Sequence, residues 1–181
     1  MTKYILIGIV LREELTGYDI KKEVEMGIGN FYKASYGSLY PALKRLTEQG
    51  VLNMREEPQG GRIKKYYKAT ERGREEFLEW LSTPYDPNNS EEQPLVKVYF
   101  FGELSPDTRR KRLEEYENYT SLMLHQLEQM EKQYAGEELN DRHYFELSTL
   151  YYGIRNGYET LKWFRHLKER RPHPEFLSEK E

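Results

Sequence analysis

Between Ser35 and Lys65 the chain gathers hydroxyls and cations at spacings that suit contact with a polyanion. Ser35, Tyr36, Ser38 and Tyr40 supply hydroxyl groups that donate to phosphate oxygens or base edges, and Lys44, Arg62, Lys64 and Lys65 supply positive charge. From Asn30 to Arg74 there are 10 Lys and Arg against 4 Asp and Glu, a local balance of +6 in a chain whose total is -3. Such a lopsided patch attracts nucleic acid before any single contact is made. Exposed Lys and Arg are often only solvated surface, and Tyr40 has the size of a core residue, so the elements that carry these side chains decide the matter.

Three helices come first. The apolar run Tyr4 to Leu11 is too short for a membrane and suits a buried helix. Thr16 has the character of an N-cap with Asp19 three residues on, and Ile20, Val24 and Ile28 follow at four-residue spacing, which predicts an amphipathic second helix. The third helix carries Leu39, Leu43 and Leu46 as its inward stripe, leaving Ser35, Tyr36, Ser38 and Lys44 outward, and Gly50 ends it. After Gly50 the period changes from 3.6 to 2. Val51-Leu52 opens one strand and Ile63 to Ala69 forms its partner across Pro58-Gln59-Gly60-Gly61. Tyr66 and Tyr67 fall on opposite faces of that strand, so one must point inward. Thr70 caps a fourth helix with Phe77, Leu78 and Leu81. This order of elements is a winged helix-turn-helix with a two-stranded wing.

The rest has a different electrostatic character. Residues 1–85 hold 14 basic and 12 acidic side chains, leaving 14 basic and 19 acidic beyond. Residues 1–84 are read as a DNA-binding domain, 85–91 as a linker, and 92–181 as a helical dimerisation domain, to which the family resemblance given below adds effector binding. Pro94 to Phe101 makes a short apolar helix, and Ser105-Pro106 starts a long one. In the long helix Leu113, Tyr116, Thr120, Met123, Leu127, Met130 and Tyr134 recur at spacings of three and four, the seam of a coiled-coil-like pairing. The last helix, roughly residues 142–171, has a wider apolar arc through Leu147, Leu150, Tyr151, Ile154, Tyr158, Leu161 and Phe164. An arc that wide needs two neighbours, which implies a homodimer built by this half.

The residues resemble the PadR family of transcriptional regulators. LTGYDIKKEVE at 15–25, YGSLYPALKRLTEQGVL at 36–52 and GGRIKKYYKATERGREEFLEWL at 60–81 carry the resemblance to its N-terminal domain. PLVKVYFFGELSPDTRRKRL and YYGIRNGYETLKWF are similar to the longer form of the family, with a helical C-terminal domain of the virulence-activator type. The resemblance implies a dimeric DNA-binding protein, usually a repressor, whose longer members often respond to small aromatic or phenolic ligands. His143, Tyr151, Arg155, Tyr158 and Lys162 are the candidates for such an effector site. Gly153 and Gly157, four apart on one helix face, admit either a closely packed helix or a planar ligand.

Other chemistries find little footing. With zero cysteines there is no disulfide, thiolate catalysis or Cys-ligated zinc. His125, His143, His166 and His173 lack metal-ligand spacing, and Gly27-Ile28-Gly29 lacks the third glycine and preceding strand of a nucleotide loop. No cofactor, no membrane partner and no enzymatic activity are expected, and a cytoplasmic location is. The remaining alternative is a winged-helix module that binds other proteins without DNA, because a fold alone does not fix function.

Overall fold

The computed structural model describes residues 1–32, 36–89, 93–134 and 140–173, with the backbone alone at Tyr36. Ser35 lies outside them. The chain forms two compact units, Met1–Thr83 with Asn88–Ser105 and Pro84–Pro87 with Pro106–Glu181. Composition places the division at 85–91, and the units exchange short segments across it. Among the described residues no helix is long and apolar enough to cross a membrane.

In the first unit α1 (Thr2–Ile9) is followed by β1 (Leu15–Thr16), α2 (Gly17–Glu23) with its π-helical continuation Val24–Ile28, and a 3-10 turn (Tyr36–Ser38) leading into α3 (Leu39–Glu48). Then come β2 (Leu52–Gln59), β3 (Arg62–Ala69), α4 (Glu71–Ser82) and α5 (Pro94–Phe100). Ile20, Val24 and Ile28 are buried as the four-residue spacing requires, and so are Leu39, Leu43 and Leu46. They close on Ile5, Leu6, Ile7 and Val10 of the first helical segment and on Phe77 and Leu81 of α4. Burying one such side chain stabilises the fold by roughly 1.5–3 kcal/mol relative to leaving it exposed.

Both expected caps form. The Asp19 N–H donates to Thr16 Oγ1 at 3.2 Å, and the Gly73 N–H donates to Thr70 Oγ1 at 3.0 Å. The Thr70 N–H and hydroxyl also donate to the Val51 carbonyl at 3.1 and 3.0 Å, which ties the start of α4 to the root of the wing.

Three features differ from the sequence reading. Tyr36 and Ser38 precede α3 in the 3-10 turn rather than lying on the helix, because Pro41 cannot accept an α-helical residue at Gly37 without its ring meeting that carbonyl. The sheet has three antiparallel strands in the order β1-β3-β2, with Leu15 opposite Tyr67 and Thr16 opposite Tyr66. A two-residue strand is too short for its alternation to be seen. The wing strands are eight residues each, joined by Gly60-Gly61 alone. Both glycines have positive φ, 59° and 77°, as a two-residue hairpin turn of type I′ demands.

The second unit is an antiparallel pair, α6 (Pro106–Gln133) and α7 (Asp141–Glu169). Leu113, Tyr116 and Leu124 of α6 and Leu147, Leu161 and Phe164 of α7 are buried, with Tyr116 and Phe164 stacked at 5.6 Å. The inward residues therefore step to Leu124 rather than to Met123, and Met123, Met130 and Tyr134 of the expected seam are exposed. Thr120 is satisfied by its own helix, its hydroxyl donating to the Tyr116 carbonyl at 2.8 Å. Gly157 and Gly153 face Leu124 and Leu127, where an added Cβ would lie 3.1 and 3.3 Å from a leucine methyl. The glycine pair serves close packing of α6 on α7.

Candidate nucleic-acid interface

A groove of about 390 Å³ opens between the start of α2, the first turn of α3 and the wing. Tyr18, Tyr40, Lys64, Lys65 and Tyr67 line it, with Asp19 at one edge. The local folding that builds it is traceable. β1 hydrogen-bonds to β3 and so fixes the first turn of α2 beside the wing, and Gly17 leaves room for Tyr40 to cross that turn. A Cβ at Gly17 would come within 2.6 Å of the Tyr40 ring. Tyr40 is nonetheless 55 % exposed, so it rests on α2 with its other face in solvent.

Lys44 lies one turn after Tyr40 on the same side of α3, exposed, with a weak pairing to Glu48 at 3.8 Å. Ser38, also exposed, sits in the N-cap position of α3.

The wing presents its cations on both faces. Strand pairing puts Arg62 and Lys64 on one face, with Arg55 and Tyr66, and Ile63, Lys65 and Tyr67 on the other. Tyr67 is the inward tyrosine, 8 % exposed, and burial pushes its phenol above the usual value, so it stays neutral in the groove. Lys65 is drawn to Glu56 across the strands at 3.4 Å. Arg62 and Lys64 are exposed with no carboxylate partner among the described residues.

Arg55 is different. It bonds Glu14 at 2.7 Å and Glu57 at 2.5 Å and lies over the Tyr66 ring at 4.5 Å. Hydrogen bonds to Glu57 and then Glu14 raise its pKa further above an already basic value. Its charge counts in the local excess but is engaged at home.

Tyr18 is the residue sequence reasoning missed: it is 70 % exposed and reaches the groove from the first turn of α2. The signal was its place two residues after the Thr16 cap, off the Ile20, Val24, Ile28 stripe.

The five effector candidates all lie on α7, and the structure strings them out along it. His143 and Lys162 are nineteen positions apart, which at 1.5 Å per residue is roughly 28 Å. Tyr151, Arg155 and Tyr158 form a closer, exposed group. Arg155 meets Glu159 at 3.4 Å, and the Tyr158 hydroxyl donates to Glu128, a bond that raises the phenol pKa. A groove of about 520 Å³ between Leu127, Met130 and Tyr134 of the first helix and Glu146, Leu147 and Leu150 of the second contains none of the five.

Residues 6–79 match the model of the transcriptional regulator PadR-like family, and residues 92–170 match that of the virulence activator alpha C-term. The negative transcriptional regulator PadR of Bacillus subtilis is 34% identical over 105 residues, spanning 57% of this chain and 58% of that protein. The chain thus matches little over half the length of that curated relative. Among solved structures, Bacillus subtilis PadR in complex with operator DNA aligns with a TM-score of 0.46 at 25% identity, covering 93% of this chain and 97% of that one. The complex of the same regulator with p-coumaric acid aligns at 0.43 and 24%, covering 93% and 96%. With both halves matched in order, this chain belongs to the PadR-like family of transcriptional regulators, in the longer form that carries a virulence-activator C-terminal region.

Proposed function

We propose that the protein is a sequence-specific, double-stranded DNA-binding transcriptional regulator, a ligand-responsive repressor that acts as a homodimer on a pseudo-palindromic operator. The observation that carries this reading is the groove rimmed by Tyr18 and Tyr40 from the helices and Lys64 and Lys65 from the wing, with the uncompensated Arg62 beside it. Tyr40 and Lys44 on α3, with Ser35, Tyr36 and Ser38 ahead of it, face base edges and phosphates in the major groove. Arg62, Lys64 and Lys65 meet the flanking backbone or minor groove.

Residues 1–84 do the reading in this proposal and residues 92–181 do the pairing. Support for pairing comes from the apolar side chains that α6 and α7 leave in solvent, Leu122, Met123, Met130, Tyr151 and Tyr158 among them. Half-sites about 34 Å apart are the spacing such a dimer requires. A small aromatic or phenolic effector would meet Tyr151, Arg155 and Tyr158, with Lys162 one turn beyond Tyr158 on the same face and His143 set apart, roughly 12 Å before Tyr151 along α7. Ligand binding there changes the separation of the two reading heads and so the operator affinity.

Gel retardation with the DNA immediately upstream of the protein's own gene tests the core of this. Retention that weakens with salt, and further in Arg62→Ala and Lys64→Ala, is the expected result. Failure to retain any promoter fragment in dilute buffer overturns it.

A further inference from the structure

The tip of the wing carries an apolar pair among cations. Ile63 is 65 % exposed, and strand pairing sets it opposite Pro58, which is exposed as well. They form the second pair from the two-residue turn, where the side chains of an antiparallel ladder stand closest, with Cβ atoms about 4.5–5.5 Å apart. Pro58 costs no ladder bond there, because β2 is an outer strand and the nitrogen of a residue in such a pair points away from β3. Beyond the pair come Gln59, Gly60, Gly61 and Arg62 alone, and a Cβ added to either glycine would meet no other part of the fold within 4 Å. The tip stands clear of the rest of its unit.

A lone exposed isoleucine is ordinary, but the placement of this one is specific. Alternation along β3 puts Ile63 on the face of Lys65 and Tyr67, and those two line the groove shared with Tyr18 and Tyr40. Arg62 and Lys64 adjoin it on the other face, both exposed and without a carboxylate partner among the described residues. An apolar protein surface closing over Ile63 would have to desolvate those charges beside it. A duplex instead pairs them with phosphates, and between its two phosphate rows lies a minor groove about 6 Å wide, the size of a side chain rather than of a ribbon.

We propose that Ile63, backed by Pro58, enters the minor groove flanking each half-site and selects A·T pairs there. The inference rests on the DNA-binding reading of the groove and adds to it a residue that discriminates between sequences. Guanine projects its N2 amine into the minor groove, and an apolar side chain laid over that amine takes it from water without offering an acceptor. A·T pairs carry no amine at that position, so the same side chain meets them without stranding a donor. Isoleucine and proline are among the apolar side chains that proteins insert into the minor groove. Arg62 and Lys64 attract any duplex through its phosphates, and Ile63 supplies the preference.

The test starts from the promoter fragment retained in gel retardation, shortened to a duplex whose flanking pairs are set to A·T, G·C or inosine·cytosine. Inosine lacks the N2 amine of guanine and keeps its major-groove face, so it separates readout in the two grooves. The full wild-type chain is expected to bind the A·T and inosine flanks alike, and the G·C flank at least about fivefold more weakly, the lower end of the cost of one wrong pair. Ile63→Ala should melt close to wild type, as an exposed tip position allows, and bind all three flanks equally. Ile63→Val, which keeps an apolar branched side chain, should retain the preference. A G·C flank bound as well as the others, an inosine flank that behaves like G·C, or a preference that survives in Ile63→Ala overturns the proposal. So does a preference that Arg62→Ala erases and Ile63→Ala does not, because the arginine would then be the reader. Wild type that binds DNA with any of these results leaves the DNA-binding reading standing, whereas wild type that retains no fragment removes both.

Discussion

Removing Arg62 and Lys64 together probes the charge accounting of the wing. Both are exposed and neither gives up a carboxylate to meet DNA, so in the proposed complex each would hand its full charge to a phosphate. Counterion release then sets the magnitude: each lost phosphate contact lowers the slope of log K against log salt by about 0.9. Two contacts per reading head and two heads in the proposed dimer lower it by about 3.6, so between 50 and 200 mM salt the affinity of the variant falls on the order of a hundredfold less than that of wild type. Fluorescence anisotropy on an operator duplex across that range measures the slope directly. Folding stability should stay within about 0.5 kcal/mol, as for other exposed side chains with no partner to strand. Arg55→Ala is the internal contrast, since Arg55 is committed to Glu14, Glu57 and the Tyr66 face. It should leave the slope nearly unchanged. Parallel slopes for wild type and the Arg62, Lys64 double variant, or a larger slope change for Arg55→Ala, refute the wing assignment.

Three further outcomes are expected. Gly73→Ala should destabilise by about 1–3 kcal/mol, as overpacking does, and lower the melting temperature. The new Cβ would fall 2.2 Å from the Val51 carbonyl oxygen that anchors Thr70, and an unshifted melting curve would rule that packing out. Burial works to raise the Glu117 pKa, but Lys168 and Arg165 prevail and hold it below the ordinary 4.5. Its stabilisation is therefore present above the unfolded value and lost as pH falls through the lower folded one. Glu117→Gln should flatten the acid side of the stability profile, and a profile as steep as wild type contradicts this. Met123→Asp with Met130→Asp, both on the exposed side of α6, should shift sedimentation toward the monomer while leaving helix content intact; an unchanged sedimentation coefficient argues against pairing through that face.

The parts of the fold that repeat were legible in the sequence, and the parts made by a single tertiary contact were not. Leu39, Leu43 and Leu46 announce the buried stripe of α3, and the Thr16 and Thr70 caps mark two helix starts, because these signals are local and periodic. β1 is invisible at two residues: its strand character comes only from hydrogen bonding to Tyr66 and Tyr67, fifty positions away. That same pairing sets Tyr18 beside Lys64, so the part of the candidate site that sequence reasoning missed is the part that depends on the missed strand. The seam of α6 fails for a different reason. Spacing of three and four was read correctly, but the choice between Met123 and Leu124 rests on where Gly157 lets α7 approach, and that is a property of the pair of helices. Charge shows the same division. Composition locates the positive excess between Asn30 and Arg74, yet only the carboxylates around Arg55 and Lys65 tell which cations are engaged within the fold and which remain for a partner. Arg62 and Lys64 are among those that subtraction leaves, with Arg45, Lys68 and Arg74, and that first pair follows directly on the turn whose two glycines let the wing reach outward.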